Sequence, residues 1–407
     1  LWENEKEVTA LFHDTVKGAK PDALTFFHNM PKPDTVRLYD AALSEVYIDR
    51  PWKHTLWKHG ELSNYSAVFP VPSIQNISYQ GMGDAEIARN MLQSLANGSY
   101  PNVFFHKIRE DSFAPMKRVF DYIGANARYF DFARSVPHRF LAFVRTTHCN
   151  FAQKAIAAEQ GRLSFTERFL KPYVGMYSAL LRQRLPIVTR QQPLFHEDLS
   201  GFRVLCLVNE ASLSAAQVER VRQFVADGGG LIATQETSLY DERADRRADF
   251  ALADLFGVRY AGTAAVGDEG RLIFDGRHPV AASLAGTAIP YANQPHPVVE
   301  PTSGQVVAFL KDPALPGGKV PGAVVNTYGK GRVVYIPGRF DALQCDTLLP
   351  AVETLVGNGV RWACANKLPV EVHGMAPIGV TLFEQPDALV VHLMNYSGDS
   401  QDGARPV

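Results

Sequence analysis

The chain has little cysteine, almost no net charge and no long apolar run. Its four cysteines among 407 residues, Cys149, Cys206, Cys345 and Cys364, lie far apart and share no metal or redox spacing, which argues against a zinc ribbon, a dithiol centre or a disulfide scaffold. Forty-one Lys and Arg against 42 Asp and Glu leave a formal charge of −1, so neither nucleic acid nor another polyelectrolyte is an expected partner. No stretch approaches the roughly 18 apolar residues a membrane helix needs, and no membrane partner is expected. The Gly228-Gly229-Gly230 run lacks a following Lys-Ser/Thr and precedes a strand pattern, so it is no phosphate loop; neither a cofactor nor a metal is expected. What remains, 46% hydrophobic and 20% charged residues, fits a soluble globular chain with two or three sizeable cores, its compartment left open.

Periodicity gives the first third an α/β rhythm. Val8, Leu11, Phe12 and Val16 share a helical face that Gly18 ends. Ala23–Phe27 is a compact apolar strand followed by His28 and Asn29. A short helix near Val36–Ala42 leads to a strand at Leu43–Asp49, and Ser73–Gln80 is a third strand. Asp84 caps a helix whose Ile87, Met91, Leu92 and Leu95 lie together, and Asn102–His106 is a fourth strand. Strands alternating with helices, with polar residues at strand C-termini, fit the C-terminal part of a (β/α)8 TIM barrel. A whole barrel takes about 250 residues, so the first half is expected upstream of Leu1 and the chain reads as a piece of a longer protein. Residues 107–163 read as helical packing that closes the barrel.

The next region has clearer signals. Ser164-Phe-Thr-Glu167 is a capping box for a helix running through Leu180 and ending before Pro186. Val204–Val208 reads as a buried parallel strand, then a helix capped by Ser212 or Ser214 with Val218, Val221, Phe224 and Val225 inward. The glycine run stops that helix ahead of a strand at Leu231–Thr234. AVVNTYGKGRVVYIP reads as a hairpin turning at Gly329-Lys330-Gly331. Residues 369–395 alternate without helical period, like the opening of a small β-sandwich. The organisation expected is thus 1–163, 164–368 and 369–407.

Glycosidic hydrolysis needs two carboxylates flanking the bond, and in a barrel they belong at strand C-terminal ends. Glu45, Tyr47 and Asp49 alternate onto one face of the second strand; Asp49, at its end, is the first candidate and Glu45 the second. Trp52 offers a platform for a sugar ring, and His28 and Asn29 could bind hydroxyls. Each has a plain structural reading as well: a loop salt bridge of Asp49 with Arg50, Glu45 at a solvated edge, loop ordering by His28 and Asn29. Gln80 ends the third strand, where such barrels often place a nucleophile, but it is an amide. That favours a rival reading, a catalytically inactive carbohydrate-binding or assembly protein. Amidotransferase chemistry in the second region would need a cysteine at a strand–helix elbow, and the turn after LIATQ carries Glu236-Thr237-Ser238 instead. Cys206 is mid-strand and reads as buried. A small-molecule sensor would need a pocket at the C-terminal ends of the Val204 and Leu231 strands; nothing in those loop sequences demands one.

Three segments carry a resemblance. PYVGMYSALLRQRLP with LSGFRVLCLVNEASLSAAQVERVRQFVADGGGLIATQETSLYDE is similar to the trimerisation domain of family 42 beta-galactosidases and related TIM-barrel glycosyl hydrolases. YGKGRVVYIPG is similar to the hairpin near that domain's end, and ALVVHLMNYSG looks like the start of the C-terminal β-domain. NGSYPNVFFHKIREDSFAPMKRVFDYIGAN resembles, more loosely, the last strand and closing helix of the barrel. The resemblance implies a partial barrel, then a flavodoxin-like, class I glutamine amidotransferase-like assembly domain, then a β-domain. It also implies a beta-galactosidase-like or fucosidase-like glycosidase acting on a carbohydrate as a homotrimer. The family's acid/base would fall before Leu1, and its nucleophile position is occupied by Gln80.

Overall fold

The computed structural model describes residues 2–28, 41–47, 73–79, 84–105, 113–132, 134–191, 198–374 and 378–396. They form two compact units, Leu1–His138 with Ala376–Val407, and Arg139–Met375.

The first unit opens with α1 (Trp2–Ala19), then β1 (Phe26–His28), β2 (Ala41–Tyr47), β3 (Ser73–Tyr79), α2 (Asp84–Ala96), β4 (Tyr100–Phe105), α3 (Phe113–Ala125) and β5 (Val136–Pro137). β1 to β4 pair in chain order and all in parallel, which requires crossover connections; α2, between β3 and β4, is one. Ala41 and Ala42 begin β2 by pairing with Phe26 and Phe27, where the sequence reading had them ending a helix: ladder pairing overrides alanine's helix preference. The apolar face of α1 carries Val8, Leu11 and Phe12 exposed, at 65%, 68% and 53%. α2 instead buries Met91 and Leu95 against Met116 and Val119 of α3, with Phe130, Phe132, Phe383 and Val390 completing the cluster. The last two belong to an antiparallel hairpin, Ile378–Gln385 with Ala388–Asn395, which β5 edges into a three-stranded sheet.

The second unit begins with β6 (Leu141–Arg145) and α4 (Thr147–Gln160), a segment expected to be wholly helical. Leu-Ala-Phe-Val is short and apolar without alternation, a pattern a buried strand and a helix share; here all four are fully buried and pair with strands on both sides. A π-turn at Thr166–Leu170 runs into α5 (Lys171–Arg182), followed by β7 (Ile187–Gln191), β8 (Val204–Leu207), α6 (Ala215–Ala226) and β9 (Gly230–Thr234). Then come α7 (Ala253–Phe256), β10 (Val258–Ala265), β11 (Arg271–Phe274), β12 (Ala288–Pro290), β13 (Pro295–Pro301), β14 (Gln305–Lys311), β15 (Lys319–Tyr328) and β16 (Gly331–Ile336). α8 (Phe340–Thr347) and α9 (Pro350–Ala363) end the unit.

Nine strands make one sheet in the order β12-β11-β14-β15-β16-β9-β8-β6-β7. The five from β16 to β7 are parallel and the rest antiparallel. Numbered along the chain, the parallel five run 2-1-3-4-5, a doubly wound order with its switch point between β6 and β8. Ser214, not Ser212, caps α6: its hydroxyl accepts from the Gln217 amide at 3.3 Å and Gln217 Oε1 accepts from the Ser214 amide at 2.8 Å. Ser212 donates its hydroxyl to the Asp241 carbonyl. The hairpin turn of β15 and β16 lies at Gly329-Lys330, with Gly329 at φ 56°, and Tyr328 pairs with Gly331, the left-handed geometry that glycine supplies.

Candidate functional site

His28 ends β1, in register with Leu43 of β2. Glu45, two residues further along β2, pairs with Asn76 of β3, which pairs with Asn102 of β4, so a polar residue occupies the same register row on three neighbouring strands. The backbone thus brings His28 and Glu45 onto adjacent parallel strands near their C-terminal ends. Asn29, Asp49, Trp52 and Gln80 lie outside the described residues; Gln80 directly follows β3.

The second unit contains a cleft of about 460 Å³ beyond the C-terminal ends of β8 and β9. Asn209 and Gln235 follow those two strands and both line it. Both have left-handed backbones, φ 46° and 53°, a conformation costly for residues other than glycine and concentrated at functional sites. Buried Arg168 is fixed from three sides: Nε donates to Gln153 Oε1 at 3.0 Å, Nη1 to Gln160 Oε1 at 3.1 Å, and Nη2 pairs with Glu236. The strand-end loop is tied to it, since Asn209 Nδ2 donates to the Arg168 carbonyl at 2.7 Å and Asn209 Oδ1 accepts from the Glu236 amide at 3.1 Å. Arg339, also buried, donates to Gln294 Oε1 at 2.5 Å and to the Glu167 carbonyl at 2.6 Å, while its buried Nε has no partner. Below Gln235, Asp341 accepts from Thr234 and Gln235, both at 2.7 Å, and burial raises its carboxyl pKa.

At the switch point, Thr146 caps α4 and donates its amide at 3.2 Å, and its hydroxyl, to buried Glu210. Burial outweighs these bonds and pushes the Glu210 carboxyl up to about 7. The four cysteines are buried and none is in a disulfide, and burial raises the thiol pKa of Cys149 and of mid-strand Cys206. A pocket at these strand ends was the stated requirement of a small-molecule reading, yet no loop sequence flagged it. Its walls come from Gln160 to Arg339, groups scattered over much of the unit, which no local sequence pattern brings together.

Among the described residues no cluster of His, Cys, Asp and Glu is arranged to hold a metal, and no helix is long and apolar enough to cross a membrane. Residues 174–356 match the family model of the beta-galactosidase trimerisation domain. No curated protein matches the chain by sequence. Among solved structures, the beta-galactosidase from Rahnella sp. R3 is similar at TM-score 0.71 and 15% identity, over 97% of this chain and 62% of its own. Alpha-L-fucosidase isoenzyme 2 from Paenibacillus thiaminolyticus is similar at TM-score 0.73 and 15% identity, over 95% and 60%. The beta-galactosidase from Bacillus circulans sp. alkalophilus gives 0.69 and 14%, over 96% and 60%. The chain therefore spans about three fifths of the length of these solved chains, and at such identities the likeness is one of fold. Residues 174–356 are thus similar to the beta-galactosidase trimerisation domain, within a chain whose fold is similar to that of these glycosidases.

Proposed function

We propose that the protein is a glycoside hydrolase of the beta-galactosidase or fucosidase kind, with its chemistry in the first unit and its assembly through the second. The observation that carries this reading is the trimerisation-domain match at 174–356; the fold likeness to glycosidases along nearly the whole chain supports it. On this reading β1 to β4 are the C-terminal strands of a (β/α)8 barrel, followed by the flavodoxin-like, amidotransferase-like domain and a β-domain. Asp49 and Glu45 are the site carboxylates, one protonating the leaving oxygen and the other attacking or activating water. Trp52 supports the sugar ring, His28, Asn29 and Gln80 bind hydroxyls, and three copies associate about a symmetry axis. Incubation with a panel of nitrophenyl glycosides tests it: release of nitrophenol from at least one sugar is expected.

A second reading has its own observation. Gln80, an amide where a nucleophile would stand, favours a carbohydrate-binding or assembly protein without turnover. Saturable sugar binding with no hydrolysis of any glycoside in the panel would decide for it.

A further inference from the structure

We propose that the cleft at the C-terminal ends of β8 and β9 binds a small anionic sugar, one carrying a carboxylate or a phosphate. The inference is independent of whether the first unit hydrolyses glycosides. Its place is the first support: it opens outside the strand C-termini, the edge at which doubly wound sheets bind ligands, one strand along from the switch point between β6 and β8. The backbone is the second. Two neighbouring strands end in non-glycine residues held left-handed, Asn209 and Gln235, and both line the same cleft; asparagine tolerates that region, so Gln235 is the strained one, and such strain concentrates at ligand sites.

Charge sets the ligand class. Four guanidinium groups line the cleft, those of Arg162, Arg168, Arg246 and Arg339, against one carboxylate, Glu236. Glu236 is taken up by Arg168, and Glu167 lies behind Arg339 at 3.5 Å. Arg162 and Arg246 have no carboxylate partner among the described residues, and the buried Nε of Arg339 lacks an acceptor. Guanidinium groups without carboxylates favour a planar or tetrahedral oxyanion, which they bind by charge-assisted hydrogen bonds. The rest of the lining suits a hydroxylated ring. The Tyr260 ring carries the Arg246 guanidinium 5.1 Å from its centroid and its hydroxyl accepts from Arg246 Nη2, which holds that guanidinium at the cleft. Its hydroxyl and that of Thr263 stand 2.9 Å apart, and Gln160 adds an amide. A volume of about 460 Å³ is at the small-ligand end of the range for binding pockets, room for a monosaccharide derivative.

Titration calorimetry on the whole protein tests this with glucuronate, glucose 6-phosphate, inorganic phosphate and glucose. Saturable binding of glucuronate or glucose 6-phosphate is expected, and which of the two binds tells whether carboxylate or phosphate is read. Phosphate alone should bind more weakly than the preferred sugar, and neutral glucose should not bind. Arg246→Gln and Arg162→Gln, at exposed positions where folding is not at stake, should each loosen binding about tenfold, the worth of one charge-assisted contact. Three results would overturn the proposal: no saturable binding of either anionic sugar, glucose or phosphate binding as tightly as they do, or affinities unchanged in both variants.

Discussion

Glu210 shows how one side chain can make the second unit sensitive to pH. Its carboxyl is fully buried and burial holds its pKa at about 7, against 4.5 for the free group. The folded state therefore holds this proton more tightly than the unfolded chain does. Between about pH 4.5 and 7 the folded state binds more protons, so stability falls as pH rises, then levels off above 7. At about 1.4 kcal/mol per unit, the loss is about 3 kcal/mol. Glu210→Gln should remove that slope: denaturant midpoints at pH 5 and pH 8 should draw together relative to wild type, and an unchanged gap would refute the assignment. The Glu210 environment was invisible in sequence, because Thr146, which bonds it, lies 64 residues away along the chain. Ser214 was legible only as one of two caps, since the Ser212 and Ser214 hydroxyl oxygens are equally good acceptors until the first turn of the helix is fixed. Candidate carboxylates were legible from strand alternation alone, which places Glu45 and Asp49 in a row without saying what faces them.

At the scale of elements, α5 carries a constraint that runs against helix propensity. A Cβ built on Gly175 would lie 1.8 Å from the Asp341 carbonyl oxygen and 2.6 Å from the Cys345 amide nitrogen. α5 and α8 cross so closely that only glycine fits. Gly175→Ala, worth about 1 kcal/mol of added helix propensity, is expected to destabilise instead by about 1–3 kcal/mol through overpacking, read from urea midpoints; a stabilised variant would mean the helices separate freely. Ser214→Ala should cost about 1 kcal/mol by removing the α6 cap, measured in the same way. Elements with strong local signals were legible: β8, α6, β9 and the β15–β16 hairpin carry apolar runs, a cap and glycine punctuation. β6 was not, because four buried apolar residues suit either period, and its strand identity comes only from the ladders with β7 and β8. The start of β2 was missed because alanine favours helix, and only pairing with Phe26 and Phe27 makes Ala41 and Ala42 a strand.

For the whole molecule, the alternation of strands and helices reads as α/β, and residues 172–242 carry the resemblance to the trimerisation domain, which the family model matches over 174–356. The antiparallel extension of its sheet by β11, β12 and β14 was not read at all; β11 and β12 have only 4 and 3 residues, and β14 meets β11 through pairs such as Lys311 with Arg271 that no local pattern announces. The cleft is likewise a property of the assembled sheet edge, not of any segment. If the second unit serves assembly, light scattering should give a particle mass three times that of the chain, and a monomer at micromolar concentration would remove that part of the account. The central claim, that the first unit cleaves glycosides with Asp49 as a site carboxylate, is tested most directly by kcat/KM of the wild type and of Asp49→Asn on the best nitrophenyl glycoside. A loss of at least about a hundredfold, the scale on which catalytic carboxylates act, is predicted; turnover unchanged by the substitution would contradict it.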